Sequence, residues 1–382
     1  MKIVVDDKIP YIREKLALLA DEVVALRGAE ITADDVRDAD ALVVRTRTRC
    51  DERLLAGSKV QLVATATIGF DHIDTEYLQR AGIQWTNCPG CNAASVAQYV
   101  EGVLLLLERE GRQGEPAGTG GGFMLRGATI GIVGCGHVGS KVKAVAERLG
   151  MRVLVCDPPL ERLTAQHPSP TNSHPSALNS KLSTLNSQLS SLTSQLPFVS
   201  LDVIEREADV ITFHVPLTQQ GPDATFHIAD EAFFHRLTRV PIIINTSRGE
   251  VVDNGALLAA LQDGRVRDAV LDVWEHEPNL NRELLKRVFI GTPHIAGYSA
   301  DGKANADNMV IDALCRHFHL PHPGSVLPPP LPDDYPYHGD PLELYNPMTD
   351  SAKLKAAPED FEKLRNHYPL RREFFDIEKA KR

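Results

Sequence analysis

Thr129-Ile-Gly-Ile-Val-Gly-Cys-Gly-His-Val-Gly139 carries a β-rich apolar run directly into G-x-G-x-x-G, with glycines at Gly134, Gly136 and Gly139. A strand that turns sharply into a helix offers the free N–H groups of the first helical turn to an anion. In this spacing the first glycine permits the tight turn, the second lets a pyrophosphate approach the backbone, and the third lets helix and strand pack closely. His137 and Val138 would open the helix beside that anion. A bare glycine motif is often no more than a turn, so its surroundings matter. The next strand-like run, Arg152 to Asp157, ends on a carboxylate about twenty residues downstream, where an acid can hold ribose hydroxyls. Its charge would repel a ribose phosphate, which favours NAD over NADP.

Further short β-rich runs alternate with helical stretches along the chain: Lys2 to Asp6, Ala41 to Arg45, Leu62 to Thr65, Val210 to His214, Ile242 to Asn245 and Ala269 to Val273. Several are apolar on both faces, as in parallel strands covered by crossover helices, so the fold class is α/β. Strands before Gly90 should build one sheet and those after Thr129 another. A long helix is expected over Ala93–Glu110, followed by a Gly-rich connection from Gly111 to Gly122. A second helix, from about Asp301 to His319, would return the chain to the first domain.

Two segments stand outside this frame. Residues 166–197 are rich in Ser, Asn, Gln, Thr and Leu with a crude internal repeat, a composition that buries little and reads as a mobile insertion. Pro321 to Pro336 is a stiff linker to a polar C-terminal segment, for which a subunit interface is the natural place.

The chain has 382 residues, 43% of them hydrophobic, enough for two or three domains with their own cores. A net charge of -10 disfavours nucleic acid and anionic membranes as partners. The N-terminus has no signal-peptide pattern and no apolar run is long enough to span a bilayer, so a cytoplasmic protein is expected. Six cysteines without a framework spacing read as reduced thiols. Cys88-Pro89-Gly90-Cys91 reads as a turn before a helix near Asn92, and no metal site is expected.

Three more strand ends bring reactive groups to the sheet edge. Ile244-Asn-Thr-Ser-Arg-Gly249 offers Arg248, whose planar guanidinium suits a carboxylate. Leu271-Asp-Val-Trp-Glu-His-Glu-Pro278 offers Asp272 and Glu277, and Thr292-Pro-His-Ile-Ala-Gly-Tyr298 offers His294. Taken singly, these could be a surface ion pair, a turn acid and a packed histidine. His214-Val-Pro-Leu-Thr218 closes another strand near the expected cofactor. Val43-Val-Arg-Thr-Arg-Thr-Arg49 ends a strand with three cations spaced by two, of which Arg45 is the best candidate to hold a phosphate.

In order along the chain, the Gly motif, Asn-Thr-Ser-Arg-Gly-Glu-Val-Val-Asp, Leu-Asp-Val-Trp-Glu-x-Glu-Pro and Pro-His-Ile-Ala-Gly resemble the D-isomer-specific 2-hydroxyacid dehydrogenases. The resemblance covers nearly the whole chain. Ala-Thr-Ala-Thr-Ile-Gly-Phe-Asp-His-Ile-Asp, Cys-Pro-Gly-Cys-Asn-Ala and His-Ile-Ala-Gly-Tyr-Ser-Ala-Asp-Gly-Lys narrow it to members acting on a phosphorylated 2-hydroxy acid.

This resemblance implies a Rossmann-type NAD-binding domain over 94–296, inserted into a flavodoxin-like substrate domain over 1–93 and 297–320. A small α+β dimerisation domain over 321–382 would make the protein a homodimer. Its match rests on Phe361-Glu-Lys-Leu-Arg365 and Leu370-Arg-Arg-Glu-Phe374, although the chain stops short of the usual end. The resemblance further implies Arg248, Glu277 and His294 as catalytic residues. Gly134, Gly136, His137, Val138, Gly139, Asp157, Val215, Thr246, Ser247, Arg248, Asp272 and Gly297 would contact NAD. Arg45, Thr46, Thr67 and Tyr298 would contact substrate. Two other readings stay open: a sister dehydrogenase acting on phosphoglycerate or glyoxylate, and a non-catalytic NAD-sensing protein. Tyr298 and the C-terminal segment speak against the first, and the intact Arg248, Glu277 and His294 against the second.

Overall fold

The computed structural model describes residues 1–110, 123–166, 197–332 and 334–373. The Gly-rich connection and residues 167–196 of the low-complexity segment lie outside the described residues. The chain divides into two compact units, one formed by Met1–Gln98, Gly297–Leu344 and Pro369–Arg382, the other by Tyr99–Ala296 and Tyr345–Tyr368.

The first unit holds five parallel strands, β1 (Lys2–Asp6), β2 (Glu22–Leu26), β3 (Ala41–Val44), β4 (Leu62–Thr65) and β5 (Gln84–Thr86), in the order β2-β1-β3-β4-β5. Every residue of β3 and β4 is buried. Their continuous apolar runs therefore pack on both faces of the sheet. The order reverses between β1 and β3, and in open sheets of this kind ligands occupy the crevice outside the carboxyl ends at that reversal. A helix over Ala300–Phe318, capped by the Ser299 side chain on the Gly302 N–H, belongs to the same unit. Its Ala304, Val310, Ile311 and Leu314 join Ile3, Val5 and Val43 in one core.

The second unit holds six parallel strands: β6 (Thr129–Val133), β7 (Arg152–Cys156), β8 (Val210–Phe213), β9 (Ile242–Asn245), β10 (Asp268–Leu271) and β11 (Ile290–Gly291). Their order is β11-β10-β9-β8-β6-β7. Phe198 makes a single parallel bridge to Val155 of β7. That bridge stands where a doubly wound nucleotide-binding sheet has one further strand, so the 3-2-1-4-5-6 order survives with its third strand shortened. The reversal falls between β6 and β8.

The sequence expectations for the long helices match Ala93–Glu110 and Ala300–Phe318 within a residue. β2 and β5 were not anticipated, and β11 was expected only as a strand end before Thr292. Residues 321–382 are expected to form a dimerisation domain; of the described ones, those up to Leu344 and from Pro369 onward fall in the first unit and Tyr345–Tyr368 in the second. The reason is packing: Leu354 and Phe361 are fully buried in the core of the six-stranded unit. Burial of a side chain such as Phe361 stabilises the fold by roughly 2 kcal/mol, which holds its helix to that core. The Arg372 guanidinium meanwhile makes two hydrogen bonds of 2.9 Å to Asp301 within the other unit.

Cys88 and Cys91 flank a turn with Gly90 at φ 77°. All six cysteines are free and buried. Among the described residues, no helix is long and apolar enough to cross a membrane.

Candidate active site

The glycine turn between β6 and the helix His137–Arg148 is built as its spacing requires. Gly134 has φ 89°, and a Cβ there would lie 2.6 Å from the His214 carbonyl oxygen. At Gly139 a Cβ would lie 2.0 Å from the Gly134 carbonyl oxygen, so only hydrogen fits where the helix passes the turn. At Gly136 a Cβ would meet nothing within 4 Å. The middle glycine thus faces open space at the N-terminus of a twelve-residue helix that has no side-chain cap. This combination fits a pyrophosphate.

Asp157 follows β7 and ties the turn down. Its carboxylate accepts from the Cys135 N–H at 2.7 Å and from the Leu160 N–H at 2.9 Å. Val215 lies beside Gly134. His214, just after β8, meets the Thr212 hydroxyl at 2.9 Å through Nε2 and the Thr246 hydroxyl at 3.3 Å through Nδ1. Desolvation pushes its pKa down to about 3, so the ring is neutral. The turn after β9 is braced by buried Asn245. Its amide oxygen accepts from the Ser247 N–H at 3.0 Å, and its NH₂ donates to the Arg248 carbonyl at 2.8 Å. Directly after Arg248, a Cβ at Gly249 would lie 2.1 Å from the Trp274 carbonyl. The Arg248 turn is therefore pressed against the segment that carries Glu277.

His294 and Glu277 meet directly. Nδ1 of His294 lies 2.9 Å from Oε2 of Glu277, while Oε1 of Glu277 accepts from the Trp274 N–H at 3.0 Å. Burial pushes Glu277 upward, but its bonds to His294 and Trp274 and the charge of Arg365 outweigh it, leaving the group below the ordinary carboxylate value. His294 has φ 57°, a left-handed conformation rare outside glycine. What holds it there is Asp272, only 1% exposed. The Asp272 carboxylate accepts from the Ile295 N–H at 2.8 Å, the Ala296 N–H at 2.9 Å and the Thr292 hydroxyl at 2.7 Å. Its carbonyl accepts from the His294 N–H at 2.8 Å. The resemblance implies a cofactor contact for Asp272; in the structure its carboxylate and carbonyl hold the loop that presents His294.

Arg365 was missed. It comes from the helix Phe361–Asn366, and its Nη1 lies 3.7 Å from Oε2 of Glu277. For the stretch Phe361–Arg365 that contains it, the resemblance implies only dimerisation.

In the five-stranded unit, Arg45 follows β3 and donates from Nη1 to the Lys8 carbonyl at 3.1 Å, while its buried Nε has no hydrogen-bond partner among the described residues. Thr46 is exposed in the same turn. Thr67 follows β4, with its hydroxyl 2.7 Å from that of Thr65. Gly297 is held by the Asn92 amide, which donates to its carbonyl at 3.1 Å. The ammonium of Lys303, another residue not singled out beforehand, lies 4.5 Å from the centre of the Tyr298 ring. Burial, then the charge of Arg45, pushes Lys303 down. One helical turn on, burial raises Asp307 to about 7, so this neighbouring acid supplies only part of a charge near neutral pH.

A dinucleotide turn and a histidine–carboxylate pair on the carboxyl edge of one parallel sheet define an NAD-dependent dehydrogenase. The chain belongs to the D-isomer specific 2-hydroxyacid dehydrogenase family, whose NAD binding domain model matches residues 107–181 and 176–296. Among its relatives, erythronate-4-phosphate dehydrogenase of Bacteroides thetaiotaomicron is 50% identical over 379 residues, covering 98% of this chain and 97% of that protein. The erythronate-4-phosphate dehydrogenase of Cronobacter sakazakii is 42% identical over 393 residues, covering 99% and 93% respectively. The solved NAD-bound 3-phosphoglycerate dehydrogenase of Entamoeba histolytica superposes with a TM-score of 0.63 at 28% identity, covering 84% of this chain and 95% of that one.

Proposed function

We propose that this enzyme oxidises 4-phospho-D-erythronate to (R)-3-hydroxy-2-oxo-4-phosphooxybutanoate, a step in the synthesis of pyridoxal 5'-phosphate. The observation that carries the chemistry is the contact between His294 and Glu277 on the sheet edge that also bears the glycine turn. The substrate assignment draws on relatives of that name matched over nearly the whole chain.

NAD, when bound, supplies the hydride acceptor. Gly134, Gly136, Gly139 and the first turn with His137 and Val138 hold its pyrophosphate, and Asp157 its ribose hydroxyls. Val215, Thr246, Ser247 and Gly297 line the remainder. Nδ1 of His294 donates to Glu277, so Nε2 presents the lone pair that takes the proton of the substrate 2-hydroxyl as hydride leaves C2. The products are the 2-oxo acid, reduced cofactor and one proton. Arg248 holds the carboxylate next to C2 and stabilises charge developing on oxygen. Arg45 and Lys303 supply the positive surface for the phosphate, and Thr46, Thr67 and Tyr298 complete the substrate contacts. The C-terminal segment contributes to a homodimer, and the enzyme works in the cytoplasm.

The test is a fluorescence assay for reduced nicotinamide with NAD and 4-phospho-D-erythronate, using a trap for the oxo product. Turnover is expected there. Silence with this substrate but turnover with 3-phosphoglycerate reassigns the enzyme to that acid.

A further inference from the structure

Glu277 receives three groups: the Trp274 N–H at 3.0 Å, His294 Nδ1 at 2.9 Å and, from a different part of the chain, Arg365 Nη1 at 3.7 Å. The helix Phe361–Asn366 that carries Arg365 is fixed by Phe361, which is 0% exposed, and by Leu364, which packs on the same core. The guanidinium is 20% exposed and the carboxylate 18%, so solvent screens their interaction only in part. Among the described residues, the charged or titratable groups facing Glu277 are therefore His294 on the β11 side and Arg365 on the C-terminal side.

We infer that Arg365 is a positioning residue of the acid–base pair, holding Glu277 against His294 and balancing its charge. The inference rests on His294 acting as the base. In a carboxylate–imidazole pair without a third charge, the carboxylate stabilises the protonated ring and keeps it from accepting a proton until higher pH. A cation beside the same carboxylate oxygen, Oε2, offsets part of that pull. The ring then remains available as a base at lower pH, and the carboxylate stays ionised. The two groups titrate together, so the effect belongs to the pair. The C-terminal segment thereby contributes to proton transfer without touching substrate.

The experiment compares the wild-type protein with Arg365→Gln, Arg365→Lys and Leu364→Ala. The last perturbs the packing of the same helix while leaving the charge. The first readout is the acidic limb of kcat/KM for oxidation of whichever 2-hydroxy acid is turned over. The second is the titration of the His294 ring by NMR in protein labelled at histidine, assigned with His294→Asn. That signal requires no substrate, so it tests Arg365 even if the activity assignment fails.

Arg365→Gln should move both midpoints to higher pH by about 0.5 unit, with several-fold lower kcat/KM below the limb and unchanged NAD affinity. Arg365→Lys should restore the midpoint, and Leu364→Ala should lower activity, if at all, without moving it. Unmoved midpoints in Arg365→Gln, or equal movement in Leu364→Ala, would overturn the inference.

Discussion

Nδ1 of His294 and Oε2 of Glu277 lie 2.9 Å apart across seventeen residues of sequence, one placed after β11 and the other after β10. The neighbouring parallel strands bring their ends together, and chemistry at a sheet edge becomes possible. The folded value of Glu277 is depressed below its ordinary 4.5. Its contribution to stability is thus present above that value and lost as pH falls through the lower folded one. In thermal melts, the Tm gap between wild type and Glu277→Gln should be constant from pH 6 to about pH 5 and should narrow below the ordinary carboxylate range. A gap that widens on acidification contradicts the pairing. Turnover by the same variant should fall by about 10²-fold or more, since the ring loses its orienting carboxylate.

The two outer glycines and the middle one should separate stability from binding. A methyl group at Gly139 collides with the Gly134 carbonyl at 2.0 Å, whereas one at Gly136 meets nothing. Gly139→Ala is expected to lower stability by about 1–3 kcal/mol, read by denaturant unfolding. Gly136→Ala should melt near the wild-type temperature yet bind NAD at least about 10-fold more weakly. Equal NAD affinity in Gly136→Ala would place the pyrophosphate elsewhere.

Asp157 does two things at once. In the proposed site its charge would repel a ribose phosphate, and its carboxylate receives the Cys135 and Leu160 N–H groups. In Asp157→Ser the ratio of NADP to NAD efficiency should rise by about 10-fold or more while NAD affinity falls. Titration of both cofactors checks this. A fall in NAD affinity with an unchanged ratio would leave Asp157 only its role in bracing the turn.

Lys303 should read the phosphate. In Lys303→Met, KM for the phosphorylated acid should rise by about 10-fold or more, with little change for an unphosphorylated four-carbon analogue. Loss of both in parallel would make Lys303 a packing residue beside Tyr298.

The central strands were legible because β3, β4, β8 and β9 are buried along their whole length and wrote that burial into predominantly apolar runs. β2 begins with exposed Glu22 and is only half-buried thereafter, β5 is three residues long and β11 two. All three are edge strands, where composition carries little signal. The candidate site followed the same division. Arg248, Glu277 and His294 each follow a strand and could be placed on one edge from the strand pattern alone. Arg365 could not, because its approach to Glu277 depends on where Phe361 buries itself. Lys303 stood in a quoted motif, but its position over Tyr298 follows from helical geometry that spacing alone does not weight.

Asp272 spends both carboxylate oxygens on main-chain donors that follow His294. An asparagine of the same shape has one acceptor oxygen and would turn an NH₂ toward one of those donors. The most conservative replacement is therefore a poor one. The exacting demand at this end of the sheet falls on an inward-facing acid that fixes the attitude of the imidazole before any substrate arrives.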